Sequence, residues 1–213
     1  LWDDRRLMPA GTRLDFDYIR PTTRRPVGLM WVGPTHEGQT LEIRMGFSLR
    51  GTEQARKNLE KDMWAGRSFA SRRTATQDTW QTMLDSVRVD TDSDELRTVF
   101  ASALYHSLIK PCMAPSESPF WPDNGPWAFD LSTMWDIYRT QLPLLTTVAP
   151  DKAVELANAL LTICEQEGNF PIGYRMARGS DRFGRQGSAL AHTFLADLAQ
   201  LGVAGIDWEW ALV

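Results

Sequence analysis

The sequence predicts an α+β chain in which an antiparallel β-sheet module feeds an array of helices. Two observations carry that expectation: apolar residues alternate with polar ones as far as Leu49, and from residue 51 onward they recur at helical spacing. Leu14, Phe16 and Tyr18 alternate with Asp15 and Asp17, and Leu41, Ile43, Met45, Phe47 and Leu49 stand between mostly polar partners. Pro21, Pro26, Gly33-Pro34 and Gly38 punctuate these runs, so half-buried antiparallel strands are expected to dominate residues 12–50. Residues 53–63 hold few apolar side chains and read as a connecting helix on the surface. Trp80, Met83, Leu84 and Val87 fall at i, i+3, i+4 and i+7, which predicts one buried helix face. Asp92 with Glu95 makes a capping box, followed by the apolar stripe Leu96, Val99, Phe100, Ala103 and Leu104 as far as Pro111. Further helices are expected over 133–148 with a break or bend at Pro143, over 151–166, and over 188–202 closed by Gly202. A last helix begins at Asp207. Trp80, Leu84, Phe100, Leu104, Leu156, Leu160 and Leu195 are the expected core.

With 213 residues, 43% of them hydrophobic, the chain can bury a sizeable core. A net charge of −4, with no dense run of Lys or Arg, argues against a protein that grips a nucleic-acid backbone; Arg24-Arg25 and Arg72-Arg73 read as solvated surface. No apolar run is long enough to cross a bilayer, and residues 1–30 lack the basic start, apolar centre and small-residue cleavage site of a signal peptide. Cys112 and Cys164 are too few for a disulfide scaffold and lack metal spacing, and Cys164 reads as an inert core residue. His106 and His192 read as structural helix residues and His36 as part of a solvated turn. Without a paired-histidine or paired-cysteine motif, no zinc site is expected, and no glycine-rich phosphate loop is present.

Chemistry concentrates at Trp135, Asp136 and Arg139, which place an aromatic, a carboxylate and a guanidinium at one helix entrance. A sugar offers hydroxyls that need charged acceptors and donors, and a C–H face that packs on a ring, so this trio suits a carbohydrate. The competing reading makes Trp135 and Tyr138 core residues and pairs Asp136 with Arg139 at i,i+3. Trp121 and Trp127 lie close by in sequence and stand equally between sugar stacking and packing.

The stretch Thr133-Met134-Trp135-Asp136-Ile137-Tyr138-Arg139, followed by Pro143-Leu144-Leu145-Thr146, resembles glycoside hydrolase family 92, the calcium-dependent exo-acting α-mannosidases. That family carries Ser-Leu-Trp-Asp-Thr-Tyr-Arg ahead of Pro-Leu-Leu-Thr. Gly46-Phe47-Ser48-Leu49 leading into Glu53 through Leu59 is similar to the family's passage from a last strand into a connecting helix. Phe100 through Leu108 with Pro111 is similar to its first barrel helix. Gly168-Asn169-Phe170-Pro171, and Gly187-Ser188-Ala189 through Ala196-Asp197, fall in the same order as later family motifs, so the resemblance covers roughly residues 40–205.

The resemblance implies the end of a β-sandwich over residues 1–51, a helical linker over 52–90, and the first part of an (α/α)6 catalytic barrel over 91–213. It implies an exo-acting, inverting hydrolase of α-linked sugars such as α-mannosides. The catalytic carboxylates and calcium ligands are expected outside these residues, so no catalytic residue is assigned. Asp136 is the expected acceptor for sugar hydroxyls, with Trp135 flanking it and Arg139 fixing its rotamer or touching the ligand. Tyr174, Arg178 and Asp181 are the loop candidates. Two departures bear on specificity. Ile137 replaces the family's usual Thr, and Arg178-Gly179-Ser180-Asp181-Arg182 replaces an Asn-Glu-Thr element. A different sugar, a lyase on the same toroid, or a non-catalytic carbohydrate-binding or assembly subunit therefore remain alternatives. Besides carbohydrate, the expected partner is the remaining segment of the same enzyme or a complementary chain, packed on residues 188–213. Trp208, Trp210 and Leu212 there would otherwise face water. Localisation stays open, with the resemblance pointing to a secreted or cell-envelope setting.

Overall fold

A computed structural model of the chain describes residues 2–3, 6–7, 27–28, 30, 32–63, 68–113, 117, 128–131, 134–175, 179–181 and 189–211. They fall into two compact units, Leu1–Arg44 and Met45–Val213.

The first unit holds a small antiparallel sheet of β1 (Trp2–Asp3), β2 (Arg6–Leu7) and β3 (Val27–Gly28). β1 lies in the middle, with Trp2 opposite both Leu7 and Gly28. The alternation at Leu14, Phe16 and Tyr18 lies outside the described residues. The strands expected around Leu41–Leu49 are not formed: residues 32–50 contain no strand, and Leu41, Ile43, Met45 and Phe47 are 60–85% exposed. Alternation marks a face that is apt for burial, but a strand exists only where a neighbouring strand accepts its hydrogen bonds. The described residues place none beside this segment. A β-sandwich is thus not seen among them.

The second unit is helical. It runs α1 (Thr52–Met63), α2 (Phe69–Leu84), α3 (Asp94–Ile109), α4 (Met134–Ile137), α5 (Gln141–Val148), α6 (Pro150–Glu167), α7 (Leu190–Gln200) and α8 (Trp208–Ala211). Two short hairpins interrupt the series. β4 (Cys112–Met113) pairs with β5 (Ala128–Phe129), and β6 (Gly173–Arg175) pairs with β7 (Gly179–Asp181).

The helix termini follow local chemistry. Ser68 and Ser93 are N-caps whose hydroxyls accept from Ser71 N and Leu96 N, each at 3.2 Å. The cap of α3 is therefore Ser93, one residue beyond the Asp92 read from the sequence, and Asp94 and Glu95 fill the first turn, where carboxylates favour the helix dipole. Pro150 occupies the first turn of α6, and Gly168 ends that helix with φ +76°, its N–H donating to Cys164 O at 2.8 Å. The break expected at Pro143 falls instead at Tyr138–Thr140. Pro143 sits in the first turn of α5, where its missing N–H had no partner to lose.

α6 is the centre of the unit. Ala153, Leu156, Ala157, Leu160 and Ile163 line one face, and Ala159 and Leu161 widen it; all seven are buried. Against this helix pack α5, α7 and the β5 region. Leu131, Met134, Leu142, Leu145, Tyr174, Phe194, Leu195 and Leu198 belong to the same cluster. Each buried leucine or phenylalanine contributes roughly 1.5–3 kcal/mol relative to exposure.

Of the expected core, Leu104, Leu156, Leu160 and Leu195 are buried, while Trp80, Leu84 and Phe100 are half-buried. The α2 face is only partly covered because the helix meets the rest of the unit through few contacts, among them the Trp80 ring against Tyr105 at 4.5 Å between centroids. Trp208, expected to need a partner segment to cover it, is half-buried against the chain's own core and donates its indole N–H to Val203 O at 3.0 Å; Trp210 remains 40% exposed, and Leu212 lies outside the described residues.

Candidate functional site

The site is built on the run from Lys110 to Gln141, which is pinned at successive points. Lys110 Nζ pairs with Asp130 Oδ2 at 2.8 Å, joining the end of α3 to the end of β5. Asp130 adopts φ +63°, a left-handed backbone that a non-glycine residue keeps only where its surroundings impose it. Leu131 then bridges Tyr174, whose N–H donates to Leu131 O at 2.8 Å, and Met134 N donates to Ile172 O at 3.1 Å. Farther on, the Gln141 amide donates to the carbonyls of Ser107, at 2.6 Å, and Lys110, satisfying the C-terminal end of α3 from a neighbouring helix.

On this platform the side chains of Leu131 and Met134 are buried in the core, and the two residues after Met134 are open to solvent. Trp135 is 49% exposed and Asp136 is exposed. Among the described residues the Trp135 ring is not packed into the core, whereas Met134 beside it is. Tyr138 is half-buried against the core, and the Arg139 guanidinium lies over its ring, 5.5 Å from the centroid. Beside this turn a cavity of about 390 Å³ is lined by His106, Ser107, Ile137, Thr140, Gln141 and Leu144.

The hairpin candidates are placed differently from one another. Tyr174 is 1% exposed and belongs to the core beneath α4; burial, with the Glu167 carboxylate as a second cause, pushes its phenol well above the ordinary tyrosine value. Its side chain belongs to the same buried cluster as Leu131 and Met134. Asp181 pairs through its backbone with Gly173 at the open end of the β6–β7 hairpin. Arg178 lies outside the described residues, as do Trp121 and Trp127. α7 packs on α4, and its exposed His192 meets the Phe170 ring edge-on at 4.7 Å.

The structure thus brings Trp135, Asp136 and Arg139 to one exposed turn with Tyr174 behind them. Sequence reasoning missed the residues that hold this turn: Lys110, Asp130 and Gln141. All three act across 20 to 34 positions or through an unusual φ, and no local periodicity records such contacts. Cys164 is half-buried, with its thiol pushed up by burial, as suits an unreactive side chain. Among the described residues no group of three or more His, Cys, Asp or Glu is placed to hold a metal ion.

The arrangement has known relatives. The fold is shared with a solved family GH92 inverting mannosidase from Bacteroides thetaiotaomicron, at a TM-score of 0.65 and 21% identity. The match covers 78% of this chain and 23% of that one. A protein of Arthroderma benhamiae described as an uncharacterized secreted glycosidase is 27% identical over 135 residues, 62% of this chain and 17% of its own length. The profile of the glycosyl hydrolase family 92 catalytic domain matches residues 54–213. The chain belongs to glycosyl hydrolase family 92, and it spans about a fifth of the length of these two relatives.

Proposed function

We propose that the protein is a glycoside hydrolase that removes α-linked sugars such as α-mannosides from the non-reducing end of a glycan, with inversion at the anomeric carbon. The observation that carries this reading is the exposed Trp135–Asp136 pair on a platform locked at Leu131, Met134 and Lys110. An ionised carboxylate accepts from two neighbouring hydroxyls, and an adjacent open ring takes the sugar's C–H face. Arg139 bounds the same turn, Tyr174 supports it from the core, and Arg178 and Asp181 belong to the hairpin segment that follows Tyr174.

Inverting hydrolysis needs a protonated carboxyl at the leaving oxygen and an ionised one on the water, about 6.5–9.5 Å apart. Both groups, and the calcium ligands, come in this proposal from family-domain sequence beyond residues 1–213. That segment completes an (α/α)6 barrel whose linker is 52–90 and whose first part is 91–213, with residues 1–51 closing a β-sandwich. Family membership supports the reading, and the secreted relative supports export. A second reading, the same chemistry on a different sugar, is favoured by Ile137 and by the arginines at 178 and 182.

The test is proton NMR of the full-length enzyme acting on methyl α-mannoside and on a panel of other α-glycosides. The proposal expects β-mannose as the first product. Release of the α-anomer contradicts inversion, turnover of another sugar alone favours the second reading, and no turnover of any glycoside contradicts the activity.

A further inference from the structure

The carboxylate of Glu117 is gripped at both oxygens. Its Oε2 accepts from Ser48 Oγ at 2.6 Å and from the Leu49 backbone N–H at 2.8 Å, and its Oε1 accepts from Asn58 Nδ2 at 2.5 Å. The donors are themselves oriented: Asn58 Nδ2 also donates to Phe47 O at 2.9 Å, Gln54 Nε2 donates to Asn58 Oδ1 at 2.9 Å, and Ser48 Oγ accepts from Arg50 N at 3.0 Å. These three donors lie between residues 48 and 58, about sixty to seventy positions from Glu117. The approach is close as well. A Cβ at Gly46 would collide with the Ala55 carbonyl oxygen and come within 2.9 Å of Leu59 Cβ, so the chain crosses α1 at a distance only glycine allows.

The location gives this grip a consequence. Glu117 belongs to the connection between β4 and β5, the stretch that carries Trp121 and Trp127, and β5 leads directly through Asp130 and Leu131 to Trp135 and Asp136. Ser48 and Leu49 precede the part of the chain that matches the family's catalytic domain, and Glu117 lies within it. We infer that Glu117 is a positioning residue, a carboxylate clasp by which the passage into α1 holds the β4–β5 connection and, through it, the turn that presents Trp135 and Asp136. Hydrogen-bond donors from three groups already face the carboxylate, which suits an anion held by the protein and not a ligand for a cation. Charge-assisted bonds to a half-buried acceptor are also the kind whose removal is felt.

The statement about sugar binding rests on the proposed activity, and the test separates the two in the full-length enzyme. In E117Q the new amide must face either Asn58 or the Ser48–Leu49 pair, donor against donor. N58D sets a second carboxylate against Glu117. In the double variant E117Q/N58D the amide introduced at position 117 donates to the carboxylate introduced at position 58, and its carbonyl still accepts from Leu49 N. Melting temperature and the kinetics of 4-nitrophenyl α-mannoside hydrolysis are measured for all four proteins. Each single variant is expected to melt lower and to raise KM roughly three- to tenfold with kcat within about twofold, because the sugar contacts are displaced and not removed. The double variant is expected to lose less than the sum of the two single losses, with the Phe47 carbonyl still without the donor that Asn58 gives it. Additive melting losses in the double variant overturn the clasp. An unchanged KM in single variants that melt lower reduces Glu117 to a purely structural residue and overturns the positioning role. Absence of wild-type turnover contradicts the proposed activity, while the melting cycle still decides the clasp.

Discussion

Tyr174 lies buried in the core, whereas the sequence reads it as a sugar-facing loop candidate. Its place in the loop after Pro171 marks it as a sugar-facing candidate, yet the ring fills the core under α4 and its backbone joins Leu131. Burial raises the phenol's pKa in the folded protein above the unfolded value of about 10. The stability this implies is fully present below pH ~10 and declines as the pH rises beyond it, because the unfolded chain then ionises while the folded one holds its proton. Tyr174→Phe is accordingly expected to flatten the alkaline fall of the melting temperature between about pH 9.5 and 11. An unchanged pH profile would contradict the burial argument. Trp135 and Asp136 were legible as candidates, because an aromatic beside a carboxylate is a chemical statement in itself. Lys110, Asp130 and Gln141 were not, because an ion pair and a borrowed helix cap depend on which segments meet.

Among the elements, α6 and α7 were readable to within two residues at each end, since their apolar period is long and their stops are glycines. Gly168 carries the stop of α6 at φ +76° with open space around its Cα, so an added Cβ meets no neighbour and suffers only backbone strain. Gly168→Ala is expected to cost about 1–2 kcal/mol, read as a lowered denaturation midpoint with an unchanged slope. Gln141→Leu keeps the volume and removes both donors from the α3 carbonyls, and a loss of about 1–3 kcal/mol is expected in the same measurement. The segment around Leu41–Leu49 was misread for the opposite reason. Its alternation is genuine, but strand formation is a property of two segments, and the described residues supply only one.

At the scale of the molecule, the apolar residues left open outline what the described chain does not cover. On α3, Leu104 is buried and Tyr105 meets α2, whereas Leu96 and Val99 are about 60% exposed on the same helix. Together with Trp210 they offer surface suited to the rest of the barrel proposed above. If that barrel closes on α3, Val99→Asp lowers the melting temperature of the full-length enzyme by several degrees; a neutral result would mean the stripe faces solvent there too. The proposed sugar site stands most directly on Asp136. Asp136→Asn preserves shape but replaces a charged acceptor, and charge-assisted hydrogen bonds contribute roughly 1.5–3 kcal/mol each. In the complete enzyme, kcat/KM for 4-nitrophenyl α-mannoside, measured beside the melting temperature, is expected to fall about ten- to a hundredfold while the melting temperature holds. Unchanged kcat/KM, with or without a change in stability, would remove Asp136 from the sugar site and contradict the account.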